Sequence, residues 1–207
     1  GLGAASMRTT RFGVMFADID LDGRLDILSC NGHLEDDIQK VQASQHYEQP
    51  PQLLWNCGAD YDNEFMVVPE ENIGAEFTKR MVGRGATRAD IDGDGDLDVL
   101  LLSSGGKPRL LRNDQQTNNH WLRFHLTGSR SNRDAIGATV RVTLPDDTVL
   151  TRTVMPTCSY QSQVELPLTF GLGNHDNVKS VSVTWPGGQA ADISVTSMDQ
   201  QIEVVEE

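Results

Sequence analysis

The sequence predicts an all-β chain in which short strands joined by acidic, cation-binding turns are followed by a β-sandwich or partly open barrel. Three observations carry this expectation. An Asp-rich segment occurs twice, each copy is flanked by apolar runs too short for helices, and the second half alternates strand-like runs with well-marked turns.

The first copy reads FGVMFADIDLDGRLDIL from Phe12 to Leu28, and the second reads GATRADIDGDGDLDVLLL from Gly85 to Leu102, 72 positions on. The exits also correspond, QLLWN at Gln52 to Asn56 and RLLRN at Arg109 to Asn113, but at an offset of 57. The first copy therefore carries 15 extra residues, which fall in the polar segment Asn31 to Pro51 and read as a surface loop or short helix. Each repeat is strand, acidic turn, strand, connection, strand. Two such units are few, because repeats of this kind bury their apolar faces only against neighbours.

Asp18, Asp20, Asp22 and Asp26 occupy positions 1, 3, 5 and 9 of a nine-residue turn with Gly23 at position 6. Asp90, Asp92, Asp94 and Asp98 repeat the spacing with Gly95 at position 6. Calcium is a hard cation that takes six to eight oxygens, and alternating carboxylates with a position-7 carbonyl supply them without nitrogen or sulfur. The carbonyls expected are those of Arg24 and Asp96, with the Asp96 side chain pointing outward. Two calcium sites follow. Four carboxylates packed without a cation repel one another, so the ion should contribute folding energy. The competing readings are an acidic surface turn held by Asx hydrogen bonds and, less favoured, a catalytic ion. Magnesium fits less well because it prefers to keep its water.

Beyond Asn118 the strands expected are Trp121 to Leu126, Ala138 to Leu144, Val149 to Met155, Val164 to Phe170, Val178 to Trp185, Ile193 to Thr196 and Ile202 to Val205. The polar run QQTNN at Gln115 to Asn119 reads as a linker, which divides the chain into residues 1–117 and 118–207.

Composition narrows the function. With 17 Lys and Arg against 30 Asp and Glu, the formal charge is -13, which disfavours nucleic acid and anionic membranes and favours a cation as partner. No apolar run is long enough for a transmembrane helix, and the sequence begins GLGAASMRTT without the marks of an export signal. Cys30, Cys57 and Cys158 lack metal spacing, and a Cys30 to Cys57 disulfide is disfavoured because their counterparts in the second repeat lie at different heights of the hairpin. His33 and His46 share the first-repeat insertion with Glu35, Asp36, Asp37 and Glu48, a weaker candidate for a hydrolytic or transition-metal site. Trp55, Trp121 and Trp185 read as core or inter-domain anchors, with a carbohydrate platform at Trp121 or Trp185 as the alternative. Arg84, Arg88, Arg130 and Arg133 read as ordinary salt-bridge partners of an acidic chain.

These motifs together resemble a known combination, FG-GAP or VCBS-type repeats with integrin-like calcium turns followed by an ASPIC/UnbV domain. The repeat resemblance rests on Phe16 to Leu28 and Ala89 to Leu102. The distal one rests on SNRDAIGATVRV at Ser131 to Val142, SYQSQ at Ser159 to Gln163, FGLG at Phe170 to Gly173 and VTWPGG at Val183 to Gly188. The resemblance implies that the repeats are blades of a β-propeller, and two of them imply the C-terminal portion of a larger one. It also implies an extracellular or cell-envelope protein, of a kind found in bacteria and similar to the cartilage acidic proteins of animals. Arg24 departs from the small or polar residue usual at that position. The function expected is a calcium-stabilised, non-catalytic scaffold or adhesion module with an unknown protein or glycan partner. The alternatives are a carbohydrate-binding module and a secreted metal-dependent hydrolase-like or accessory enzyme.

Overall fold

A computed structural model describes residues 2–207 and is mostly β. Strands β1 (Arg11–Ala17), β2 (Asp26–Asn31), β3 (Gln52–Asn56) and β4 (Phe65–Val67) form a four-stranded antiparallel meander. Strands β5 (Gly83–Ala89), β6 (Asp98–Ser103) and β7 (Arg109–Leu111) form a three-stranded one. The internal repeat is thus visible in pairing as well as sequence, since Ala17 faces Asp26 across the first turn and Ala89 faces Asp98 across the second.

The two meanders share a core. Met15, Leu28, Cys30 and Leu53 of the first meet Ala86, Val99 and Leu101 of the second, with Phe77 and Met81 from the connecting segment. Alternation along each strand places these side chains on one face. The opposite faces leave Val14 and Phe16 exposed on the first sheet and Leu102 and Leu110 on the second. The first-repeat insertion contains a helical turn, Ile38–Val41, and returns so that Gln49 and Met81 exchange backbone hydrogen bonds of 2.9 and 3.1 Å, tying the two meanders together. At their outer end the sheets part around a cavity of about 910 Å³ walled by Leu53, Trp55, Phe77, Val99 and Leu111.

The distal strands are β8 (His120–Thr127), β9 (Thr139–Thr143), β10 (Val149–Thr153), β11 (Thr157–Ser159), β12 (Ser162–Gln163), β13 (Leu168–Gly173), β14 (Ser180–Thr184), β15 (Ala190–Asp192) and β16 (Gln200–Val205). They make a four-stranded sheet ordered β10-β9-β14-β15, a three-stranded sheet ordered β13-β8-β16 and the small hairpin β11-β12. No sheet closes on itself among the described residues. The two larger sheets bury Leu122, Phe124, Val140, Val142, Phe170, Leu172, Val181 and Val183 between them. Phe124 and Phe170 meet edge to face at 5.7 Å, each ring contributing roughly 1.5–3 kcal/mol by burial. Trp185 belongs to this core at 4% exposure, which removes it as a surface platform for sugar.

Three departures from expectation have simple causes. Val164 to Pro167 lie outside β13, because Pro167 has no ladder donor and Glu165 turns to pair with Arg123. The edge strand β15 falls on exposed Ala190–Asp192, while Ile193, just past it, still donates its N–H to Val181 O at 2.9 Å and packs on the core. Among the described residues Arg84 makes no salt bridge; its guanidinium donates to the carbonyls of Gly32, Gly83 and His33 and stacks 4.4 Å from the Phe12 ring.

Candidate metal centres at the repeat turns

Each repeat places its acidic segment where the first strand of a meander turns into the second. Gly23 and Gly95, at position 6, have φ of +92° and +98°, the left-handed region that favours glycine. At Gly95 a Cβ atom would also lie 2.0 Å from the Trp121 ring. The turns therefore need glycine there both for their own bend and, in the second, for the approach of the distal strand β8.

In the first turn Asp18, Asp20 and Asp22 each present a carboxylate oxygen within 4.8 Å of the others. Asp18 is 1% exposed; its Oδ2 accepts from the backbone N–H of Gly23 and of Gly171, each at 3.1 Å, while its Oδ1 is buried without a partner. Asp20 Oδ2 accepts from the Trp55 indole at 2.9 Å, and its Oδ1 is likewise buried and unpartnered. Asp22 is neutralised by Arg24, which gives it both a backbone N–H at 2.8 Å and its guanidinium. In the second turn Asp90, Asp92 and Asp94 form the equivalent group. Asp90 accepts from Gly93 and Gly95 at 2.8 and 3.2 Å.

The position-9 carboxylates are built in identically. Asp26 accepts from Ile19 N at 3.0 Å and Asn56 N at 2.8 Å, and Asp98 accepts from Ile91 N and Asn113 N at the same two distances. They close the turn and hold the end of the third strand. The structure thus brings positions 1, 3 and 5 together in both repeats and uses both oxygens of position 9 for backbone. Asp96 is a correction: it does not point outward but is 5% exposed, packed beside Asp94.

Electrostatics reflect this crowding. Burial pushes the Asp18 and Asp26 carboxyls up to about 7, and neighbouring carboxylates push the same way; Arg152 opposes the rise at Asp18, backbone N–H donors at Asp26. Burial and then Asp94 raise Asp96 to about 7, and burial also raises Asp22 and Asp94. Buried, unpartnered carboxylate oxygens in an all-oxygen donor set fit a hard divalent cation.

The distal strands close over both turns. Arg152 lies 3.9 Å from Asp18, and Arg123 lies 3.6 Å from Asp90 and pairs with Glu165. Asn119 donates to Asp20 O at 2.7 Å, and Asn113 donates to Ile19 O at 2.9 Å. The other sequence candidates stay apart: His33 accepts from Glu35 N and His46 bonds Gln39, both within their own insertion. Cys30, Cys57 and Cys158 are free thiols. None of the contacts to Arg152, Arg123 or Gly171 was marked by spacing, since the partners lie in other segments, 42 positions apart for Arg123 and Glu165 and 153 for Gly171 and Asp18.

Comparison with known proteins agrees with the distal motifs. The chain is 29% identical over 238 aligned positions to human cartilage acidic protein 1, covering 93% of this chain and 36% of that protein. The mouse protein of the same name gives the same identity and coverage, and that of Xenopus tropicalis is 28% identical over 220 positions. The chain spans about a third of the length of these relatives. Residues 128–207 match the family model described as ASPIC and UnbV.

Proposed function

We propose that the chain is a calcium-stabilised, non-catalytic interaction module in which two FG-GAP or VCBS-type repeats, residues 1–117, support the distal unit, residues 118–207. The observation that carries this reading is the pair of carboxylate triads at equivalent turns, with two unpartnered buried oxygens in the first. Asp18, Asp20, Asp22 and Asp26 would hold one ion with the Arg24 carbonyl, and Asp90, Asp92, Asp94 and Asp98 the other with the Asp96 carbonyl. Calcium supplies charge neutralisation and a fixed turn geometry. The protein's own groups do the rest: Gly171 N–H and Arg152 orient Asp18, and Arg123 orients Asp90.

The exposed apolar side chains on both outer sheet faces support a place within a longer row of blades, where neighbouring units would cover them. Among the described residues no helix is long and apolar enough to cross a membrane. The acidic charge and the likeness to cartilage acidic protein 1 support an extracellular or envelope location and a protein or glycan partner.

The test is a calcium titration by calorimetry on chelator-stripped protein, with a parallel thermal melt. Binding at two turn sites with a rise in Tm is the expected result; a melt indifferent to calcium would overturn the reading.

A further inference from the structure

The two turns differ at position 7 in a way that the repeat makes easy to see. In the first, Arg24 places its guanidinium on Asp22, so the turn carries its own counter-charge. In the second, the same position is Asp96, whose backbone N–H donates to Asp94 Oδ1 at 3.2 Å, so a second carboxyl stands where the first turn has a guanidinium. Asp96 is 5% exposed and its Oδ1 is buried with no hydrogen-bond partner. Both residues line a pocket of about 400 Å³ between the second turn and the start of β8, whose wall also holds Gln115, Asn118, Asn119 and Asp199.

We infer that this pocket binds a divalent cation of its own, held by the carboxylates of Asp94 and Asp96 and distinct from the ion within the turn. Two neighbouring carboxyls, one of them buried, repel when both are ionised, and a bound cation relieves that repulsion without a proton. The donors facing the pocket are mostly oxygens, from the two carboxylates, the Thr117 hydroxyl and the side-chain amides of Gln115, Asn118 and Asn119; the His120 imidazole on the same wall is paired through Nδ1 with Asp199. An oxygen-rich set of this kind favours a hard cation, and the space admits the waters such an ion keeps. Asn119 uses its Nδ2 on Asp20 O, which leaves its oxygen available. Asp199 is spoken for, with Oδ1 on Trp121 N at 3.0 Å and Oδ2 on His120 at 2.7 Å, so it adds negative field rather than a ligand. In this arrangement the external ion does for Asp94 what Arg24 does for Asp22.

The inference shares Asp94 with the turn but does not depend on the turn being occupied, and stoichiometry separates the two. Bound Ca²⁺ and Mn²⁺ are counted by equilibrium dialysis with elemental analysis for the parent, Asp96→Asn, Asp92→Asn and the double variant, each checked for native circular dichroism. Asp92 belongs to the turn and not to the pocket wall. Each single variant should bind one ion fewer than the parent, and the double variant two fewer. If Asp96→Asn keeps the parent's count, or the double variant loses no more than Asp92→Asn, the pocket ion is overturned while the turn assignment stands. If only Asp96→Asn loses an ion, the pocket assignment stands and the second turn's fails. An anomalous-difference map from Mn²⁺-soaked crystals of the unmutated chain decides the matter without any variant: a peak between Asp94 and Asp96 is expected, and a peak only within the turn overturns the inference.

Discussion

Arg152 sits 3.9 Å from Asp18, with 15% and 1% of the two side chains exposed, so a largely covered arginine of the distal unit faces the buried first carboxylate of a repeat turn. The same guanidinium donates to Gly23 O at 3.3 Å and lies 5.5 Å from the Phe170 ring. Removing one partner of a buried ion pair leaves the other uncompensated, at a cost of about 3 kcal/mol. Arg152→Met should therefore lower unfolding free energy by about that amount in chelator, measured by urea denaturation. Calcium should narrow the deficit, because an ion at the turn would also balance Asp18. A variant within about 0.5 kcal/mol of the parent would mean that Arg152 is not holding the turn.

Asp92 offers a clean probe of the second turn, since it is exposed and pairs with Arg112 at 3.5 Å. Asp92→Ala should leave the ion-free protein within about 0.5 kcal/mol of the parent and abolish the part of the calcium-dependent Tm gain that the second turn supplies. Differential scanning calorimetry with and without calcium measures both; an undiminished gain would sink Asp92 as a ligand.

The pH dependence of the chelated protein follows from Asp18, Asp26 and Asp96, whose carboxyls are raised to about 7 mainly by burial. A raised folded value means that the folded state holds protons the unfolded chain has released. The stability these groups contribute is complete below about pH 4, the unfolded value, and is lost as pH rises through about 7. Their contribution should make Tm in chelator fall between pH 5 and pH 8. Calcium, which binds the ionised carboxylates, should flatten or invert that slope. Parallel slopes with and without calcium would argue against ion binding at these groups.

Glu206 works in the opposite sense. Its Oε2 accepts from the backbone N–H groups of Ser129, Arg130 and Ser131 at 3.0, 2.8 and 2.7 Å and from the Ser131 hydroxyl at 2.9 Å. These donors, Ser131 first, hold the carboxyl down to about 2. The stability it contributes is present above the ordinary glutamate range and is lost as pH falls toward 2. Glu206→Gln should lower Tm at neutral pH and shrink the loss between pH 5 and pH 2.5. An unchanged acid melt would show that the C-terminal clasp is not stabilising.

Gly171 lets the distal unit approach the first turn closely. A Cβ there would lie 2.3 Å from the Leu21 carbonyl carbon and 2.5 Å from Asp18 Oδ2. Gly171→Ala should displace the turn and weaken calcium binding at the first site, with the second site retained; calorimetry showing two undisturbed sites would contradict the contact.

Much of this was legible in the residues. The repeat, the position-6 glycines and strands β8, β9, β10, β14 and β16 could be placed from alternation and spacing, because each depends on neighbours close in sequence. What could not be read depends on distant partners. The hairpin β11-β12 is polar and carries no period-2 signal, and it forms where Ser162 Oγ accepts from Ala86 N. The inward turn of Asp96 has no local signature either, since its burial comes from the packing of β8 and the preceding segment against the turn. The roles of Arg123 and Arg152 were hidden for the same reason.

The position-9 carboxylates also set an order of events during folding. Asp98 reaches Asn113 across 15 residues, whereas Asp26 must reach Asn56 across 30 because the insertion lies between. Doubling a loop adds about 0.6 kcal/mol of closure entropy, so the second clamp is favoured by about threefold before other contacts form. The shorter repeat is therefore expected to close its clamp ahead of the longer one, a bias set by the insertion and not by the acidic turn itself.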